Sequence, residues 1–184
     1  PESFWPPLYP VFLSAMYRLA GYDRTAARAI QGAWGAILPG MVYLVGRALL
    51  GERAARIAGL GATVYPYHIY FGAWLIAENL FMTLLGLALL AAVAVQKRPG
   101  GWASMGLGLV ISLCVLAKPS ALFLAPPFVV WFLLAGRLAL KPLTKRVLYI
   151  ALFLATLAAV LSPWLIRNRI TFGGWFISTN GGYT

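Results

Sequence analysis

Residues 69–86 read IYFGAWLIAENLFMTLLG, an apolar run holding one carboxylate, Glu78. A charged side chain at the bilayer centre costs at least about 2.5–3.5 kcal/mol, so the run is more economically read as a junction between two membrane segments than as one span. Glu78 and Asn79 then fall at the start of the second segment, where negative charge is favoured by the helix dipole. On this reading the acid lies near a membrane face and away from the hydrocarbon centre.

The rest of the chain supports a membrane setting. Of its 184 residues, 61% are hydrophobic and only 10% charged, and the mean hydropathy is +0.81. That balance lies outside the range of soluble domains of this size. The 15 Lys+Arg against 4 Asp+Glu leave a net charge of +11. The basic residues form short clusters between apolar runs and no continuous stripe, which argues against nucleic acid as a partner. The single cysteine, Cys114, has no partner for an internal disulfide. A chain that starts at Pro1 and stops in a Gly-rich polar stretch is read as a piece of a longer protein.

A spanning helix needs about 20 mostly apolar residues. Six runs approach that length, roughly 29–50, 55–74, 77–95, 102–117, 120–136 and 147–166. The expected fold is therefore an all-α membrane protein: about six transmembrane helices in one transmembrane domain, preceded by an N-terminal interfacial helix. That helix would lie within ESFWPPLYPVFLSAMYRLAGYDR, with Pro10 near its start and Gly21 near its end. Glycines 32, 35, 59, 61, 106 and 108 would permit close helix packing. The breaks RALLGERAAR, QKRPGG and RLALKPLTKR are basic, whereas YPYHIYFGAWLIAEN and AKPSA are aromatic or nearly uncharged. The positive-inside rule puts the first set in the cytoplasm and Glu78 and Lys118 on the outer face.

Four outer-face features are candidates for chemistry. Glu78 is either a helix-starting carboxylate or a metal ligand or acid/base group lining a polar cavity. His68 suits a divalent cation together with Glu78, or serves as a hydrogen-bonded anchor among tyrosines. Lys118, followed by Pro119 and Ser120, either snorkels to head groups or joins a helix N-terminus in holding a phosphate-sized anion. Arg167 and Arg169, in SPWLIRNR, are either lipid anchors or part of a phosphate clamp.

The stretches PPLYPVFLSAMYRLAG (6–21), ARAIQGAWGAILPGMVYLVGRALLGERAARIAGL (27–60), YPYHIYFGAWLIAENLF (65–81), LAKPSALFLAPP (116–127) and SPWLIRNRITFGGWFISTNGGY (162–183) occur in an order that resembles GT-C superfamily membrane glycosyltransferases. The resemblance is to the branch of dolichyl-phosphate-mannose protein mannosyltransferases and bacterial aminoarabinose transferases. It implies transfer of a sugar from a polyprenyl-phosphate donor to a glycan, lipid or protein acceptor on the non-cytoplasmic side, in a bacterial inner membrane. It also implies that Glu78 matches an acid used for metal binding or acceptor positioning, and that Lys118 matches a basic position near the donor phosphate. Arg167 would add electrostatic support. Pro6, Pro7, Tyr9 and Pro10 would belong to a juxtamembrane helix framing the cavity, and Asn180, Gly181, Gly182 and Tyr183 to a loop motif. A divalent metal ion is the one candidate cofactor.

The family's principal catalytic acid lies in a first outer loop upstream of PPLYP, after a first spanning helix. Neither is present here, and Glu2 stands too close to the prolines to replace that acid. The segment alone is thus expected to be inactive. The competing reading is part of a transporter or flippase for an anionic or lipid-linked solute, with helices broken at Pro39, Pro66 and Pro126–Pro127. A purely structural membrane subunit leaves the outer-face charges without a purpose.

Overall fold

The computed structural model describes residues 5–134 and 141–178, and every regular element among them is helical. The helices are α1 (Leu8–Ala20), α2 (Arg24–Gly35), α3 (Ile37–Leu49), α4 (Glu52–Thr63), α5 (Pro66–Ala73), α6 (Ala77–Lys97), α7 (Gly101–Ala117), a 3-10 turn (Pro119–Leu124), α8 (Ala125–Leu134) and α9 (Leu143–Phe172). Three stretches are long and apolar enough to cross a membrane: Arg24–Leu49, Ala77–Lys97 and Leu143–Phe172. Gly101–Ala117 and Pro119–Leu134 are apolar but shorter.

The all-α expectation holds; of the six expected spans, 55–74 and 120–136 take other forms, and 102–117 is a single but shorter apolar helix. Pro66 divides the 55–74 run. The residue before a proline is pushed to extended backbone, and Tyr65 sits at φ −66°, ψ 116°. α4 therefore stops at Thr63, and α5 starts at Pro66, where the missing N–H costs nothing. Their 12 and 8 residues rise only about 18 and 12 Å, against roughly 30 Å of hydrocarbon. α7 has 17 residues, or about 26 Å. The 120–136 run begins as a 3-10 turn and becomes α-helical only at Ala125.

The described residues cluster into two compact units. In the unit Leu8–Leu90, α1 ends as the sequence suggested: Gly21 and Tyr22 take positive φ, and Tyr22 N–H donates to Tyr17 O at 3.2 Å. Asp23 caps α2, its Oδ1 accepting from Thr25 N–H at 2.7 Å. α3 and α4 pack as a hairpin turning through Gly51, which has φ 91°. Glu52 holds the turn, accepting from Arg56 Nε at 3.0 Å and Tyr43 OH at 3.1 Å. These two donors, Arg56 first, keep its carboxyl below the ordinary range.

The α2–α3 stretch bends at Ala36, three residues before Pro39. Pro39 has no N–H to give to the carbonyl four residues back, that of Gly35. The His68 ring supplies the missing donor from α5, with Nε2 at 3.1 Å from Gly35 O. α9 repeats the device. Pro163 frees Ala159 O, and the Ser162 hydroxyl donates to it at 2.9 Å.

In the second unit, formed from residue 91 onward with residues 5–7, α7 packs on α9. Leu107, Ile111 and Phe153 are fully buried, and Tyr149 OH donates to Pro99 O at 3.4 Å. Gly108 permits the approach: a Cβ there would stand 2.6 Å from Phe153 O. Gly35 and Gly59 likewise face neighbours too close for a methyl group, but Gly61 and Gly106 meet nothing within 4 Å. Close packing thus explains only part of the expected glycine set.

This contrast is testable in the full-length protein by thermal unfolding in detergent. Gly108→Ala should lower stability by about 1–3 kcal/mol through overpacking. Gly106→Ala, two residues away in open space, should be neutral or stabilising by up to about 1 kcal/mol through helix propensity.

Candidate functional site

The polar side chains of the unit Leu8–Leu90 converge where α1, α2, α5 and α6 meet. Gln31, on α2, is fully buried and is the hub. Its Oε1 accepts from Tyr9 OH at 3.1 Å, its Nε2 donates to Trp74 O, and its main-chain carbonyl accepts from Asn79 Nδ2 at 2.9 Å. Thr83 Oγ1 donates to Asn79 O at 3.0 Å. Buried polar groups are stable when their hydrogen-bonding capacity is met, and here three helices are tied to one glutamine.

Glu78 stands in the first turn of α6, half-buried, immediately before Asn79. The start of a spanning helix that the sequence expected at this acid is therefore observed. Asn79 fixes that turn against α2, and α2 accommodates it because Gly35 has no side chain: a Cβ would fall inside the Asn79 amide. Tyr9 feels the carboxylate. Burial first, then Tyr17 and Glu78, push its phenol up to about 12. Tyr9 is thus held as a neutral donor whose proton goes to Gln31.

His68 is 9% exposed. Because Gly35 O can only accept, the bonded Nε2 carries a proton. Nδ1 is buried without a hydrogen-bond partner. The anchor role weighed from the sequence is met by Nε2. Among the described residues no group of three or more His, Cys, Asp or Glu side chains stands together.

An open cleft of about 680 Å³ lies between the α2–α3 bend and the α4–α5 pair. Arg28, Gly32, Pro39, Thr63, His68 and Gly72 are among its lining residues. Arg28 is exposed, and Thr63 Oγ1 is committed to Gly59 O at 3.0 Å.

The remaining expected site residues belong to the second unit or lie outside the described residues. Lys118 is exposed and extended at φ −148°, ψ 109°, between α7 and the 3-10 turn. The helix start expected at Pro119 and Ser120 is observed as the 3-10 turn, with Lys118 at its N-cap, and the α-helix follows from Ala125. Arg167 packs over Trp164 and Phe172, at 4.7 and 5.2 Å, and donates to Asn168 Oδ1 at 2.9 Å. Arg169 donates to Gly173 O and closes the end of α9. Pro7 precedes α1 and is half-buried. Asn180, Tyr183 and Glu2 lie outside the described residues.

Gln31, Asn79 and Arg28 were not singled out as site residues from the sequence. Gln31 left one usable signal, a lone amide in the run AIQGAWGAIL.

Spanning helices, a carboxylate at the start of one of them and a polar network locking that start define a helical membrane scaffold. The chain matches the dolichyl-phosphate-mannose-protein mannosyltransferase family over residues 5–166 and belongs to that family. No curated protein and no solved structure matches it significantly. Membership makes the chain part of a membrane glycosyltransferase and does not favour the transporter reading.

The Tyr9 environment has a pH signature. A phenol whose folded pKa exceeds its unfolded value contributes stability that is whole below the unfolded pKa. That contribution is lost as pH rises from the ordinary 10.0 through about 12. In an alkaline titration followed by phenolate absorbance, the difference between wild type and Tyr9→Phe should therefore be centred near 12; a difference centred near 10 would contradict the buried network.

Proposed function

We propose that the chain is part of a glycosyltransferase moving a sugar from a polyprenyl-phosphate carrier to a glycan, lipid or protein acceptor. The reaction takes place on the non-cytoplasmic side of a bacterial inner membrane. The observation that carries this reading is the family match over residues 5–166 combined with the placement of Glu78 in the first turn of a spanning helix.

Glu78 contacts the acceptor: as a carboxylate it accepts the proton of the attacking hydroxyl or orients that hydroxyl towards the anomeric carbon. Tyr9, Gln31 and Asn79 position it by holding α1, α2 and α6 together. Lys118 offsets charge on the departing phosphate, and Arg167, seated over Trp164 and Phe172, adds electrostatic support. Pro7 frames the entry to α1, and Asn180 and Tyr183 act in the loop that follows α9. In the metal reading, Glu78 and His68 would hold a divalent ion, which would supply charge stabilisation at the substrate.

The test is turnover of the full-length protein with a polyprenyl-phosphate sugar donor. Glu78→Gln keeps the side chain's size and removes its charge. It should lower transfer by about 10²–10⁴-fold if Glu78 is the base; unchanged turnover removes Glu78 from the reaction.

A further inference from the structure

One end of the second unit gathers cations together with large apolar side chains. The chain's four acids, Glu2, Asp23, Glu52 and Glu78, all precede residue 91, so residues 91–184 carry Lys and Arg with no acidic residue among them. Contacts within the unit bring the α6–α7 turn, the end of α8 and the start of α9 to the same end. Tyr149 OH donates to Pro99 O at 3.4 Å, a Cβ on Gly101 would stand 3.0 Å from Leu152 Cδ1, and Arg146 Nη1 donates to Leu133 O at 2.9 Å. Arg146 also donates through Nε to Lys141 O at 2.8 Å, so its guanidinium is spent on holding these segments together. Lys97 and Arg98 on the turn and Lys145 on α9 are exposed, and Lys141 is half-buried. The same end presents Trp102, 86% exposed, and Leu143, Val147 and Leu148, each more than half exposed.

The heights of these residues match a bilayer surface. α9 has 30 residues, or about 45 Å, and overruns the roughly 30 Å of hydrocarbon. Tyr149 meets Pro99, and Lys145 stands one turn, about 6 Å, further out along α9, the thickness of one head-group layer. Trp102, in the first turn of α7, suits the interface just inside that layer. We infer that this end binds an acidic phospholipid: Arg98, Lys141 and Lys145 hold its phosphate-bearing head group, and Trp102 lies along the start of its acyl chains. Charge complementarity selects an anion, and the exposed apolar side chains select an anion that carries hydrocarbon. A nucleic acid or an acidic protein segment would match the cations but leave Trp102 and Leu148 against a polar surface. The surface lies at the end of α6 remote from Glu78, and the inference does not depend on the role of Glu78 in transfer.

The test uses the full-length protein in nanodiscs of phosphatidylcholine and phosphatidylglycerol, with bromine on the acyl chains of one lipid at a time. Bromine quenches nearby indole fluorescence, and the Trp102 signal is the difference between wild type and Trp102→Phe. A basic residue near an anionic surface contributes roughly fivefold in lipid affinity, so phosphatidylglycerol should occupy the Trp102 site with about tenfold or more the affinity of phosphatidylcholine. Arg98→Gln combined with Lys145→Gln should bring that ratio to within about twofold of one. Wild type in about 1 M salt, where the Debye length is roughly 3 Å, should show the same loss without any substitution. Arg169→Gln removes a cation at the other end of α9 and should leave the ratio unchanged. Equal quenching by the two lipids in wild type, or a ratio that falls as far in Arg169→Gln as in the double variant, overturns the inference. Trp102 emission that neither lipid quenches overturns it too, and assigns this face to a protein partner.

Discussion

The unit Leu8–Leu90 depends on the carbonyl of Gly35. Pro39 denies it the N–H that an unbroken helix would provide, and His68 supplies one from α5 at 3.1 Å. The same residue has to be glycine, because the Asn79 amide occupies the space of a Cβ. One backbone position therefore sets the bend of the α2–α3 span, the docking of α5 and the seating of the first turn of α6. In a low-dielectric setting an unpaired carbonyl is costly, which gives the bend a defined partner where a proline kink alone would leave a flexible one.

Function follows from the side effects of that arrangement. Seating α6 on α2 fixes Glu78 beside a network running from Tyr9 through Gln31 to Asn79. His68 is spent on the same bend through Nε2, and its Nδ1 is closed off without a hydrogen-bond partner.

The same logic separates the cations. Arg167 is seated over Trp164 and Phe172 and hydrogen-bonded to Asn168, and Arg169 closes the end of α9. Lys118 is exposed at a junction whose following turn is 3-10.

Composition and hydropathy determined that this is a helical membrane protein, because apolar runs of that length have no other satisfied backbone arrangement in lipid. The order of its motifs pointed to the family, and the lone acid of residues 69–86 marked the start of α6. Local rules also placed the ends of α1, through Pro10 and Gly21. The division of 55–74 at Pro66 was legible in principle, but the apolar count outweighed the backbone restriction of Tyr65. What only the tertiary structure decided was the partnership of distant polar atoms: Gln31 with Tyr9 and Trp74, Asn79 with Gln31, His68 with Gly35. Those pairs lie 22 to 48 residues apart. No sequence periodicity encodes which buried carbonyl lacks a donor until the helices are packed, and that shortage assigned His68 its partner.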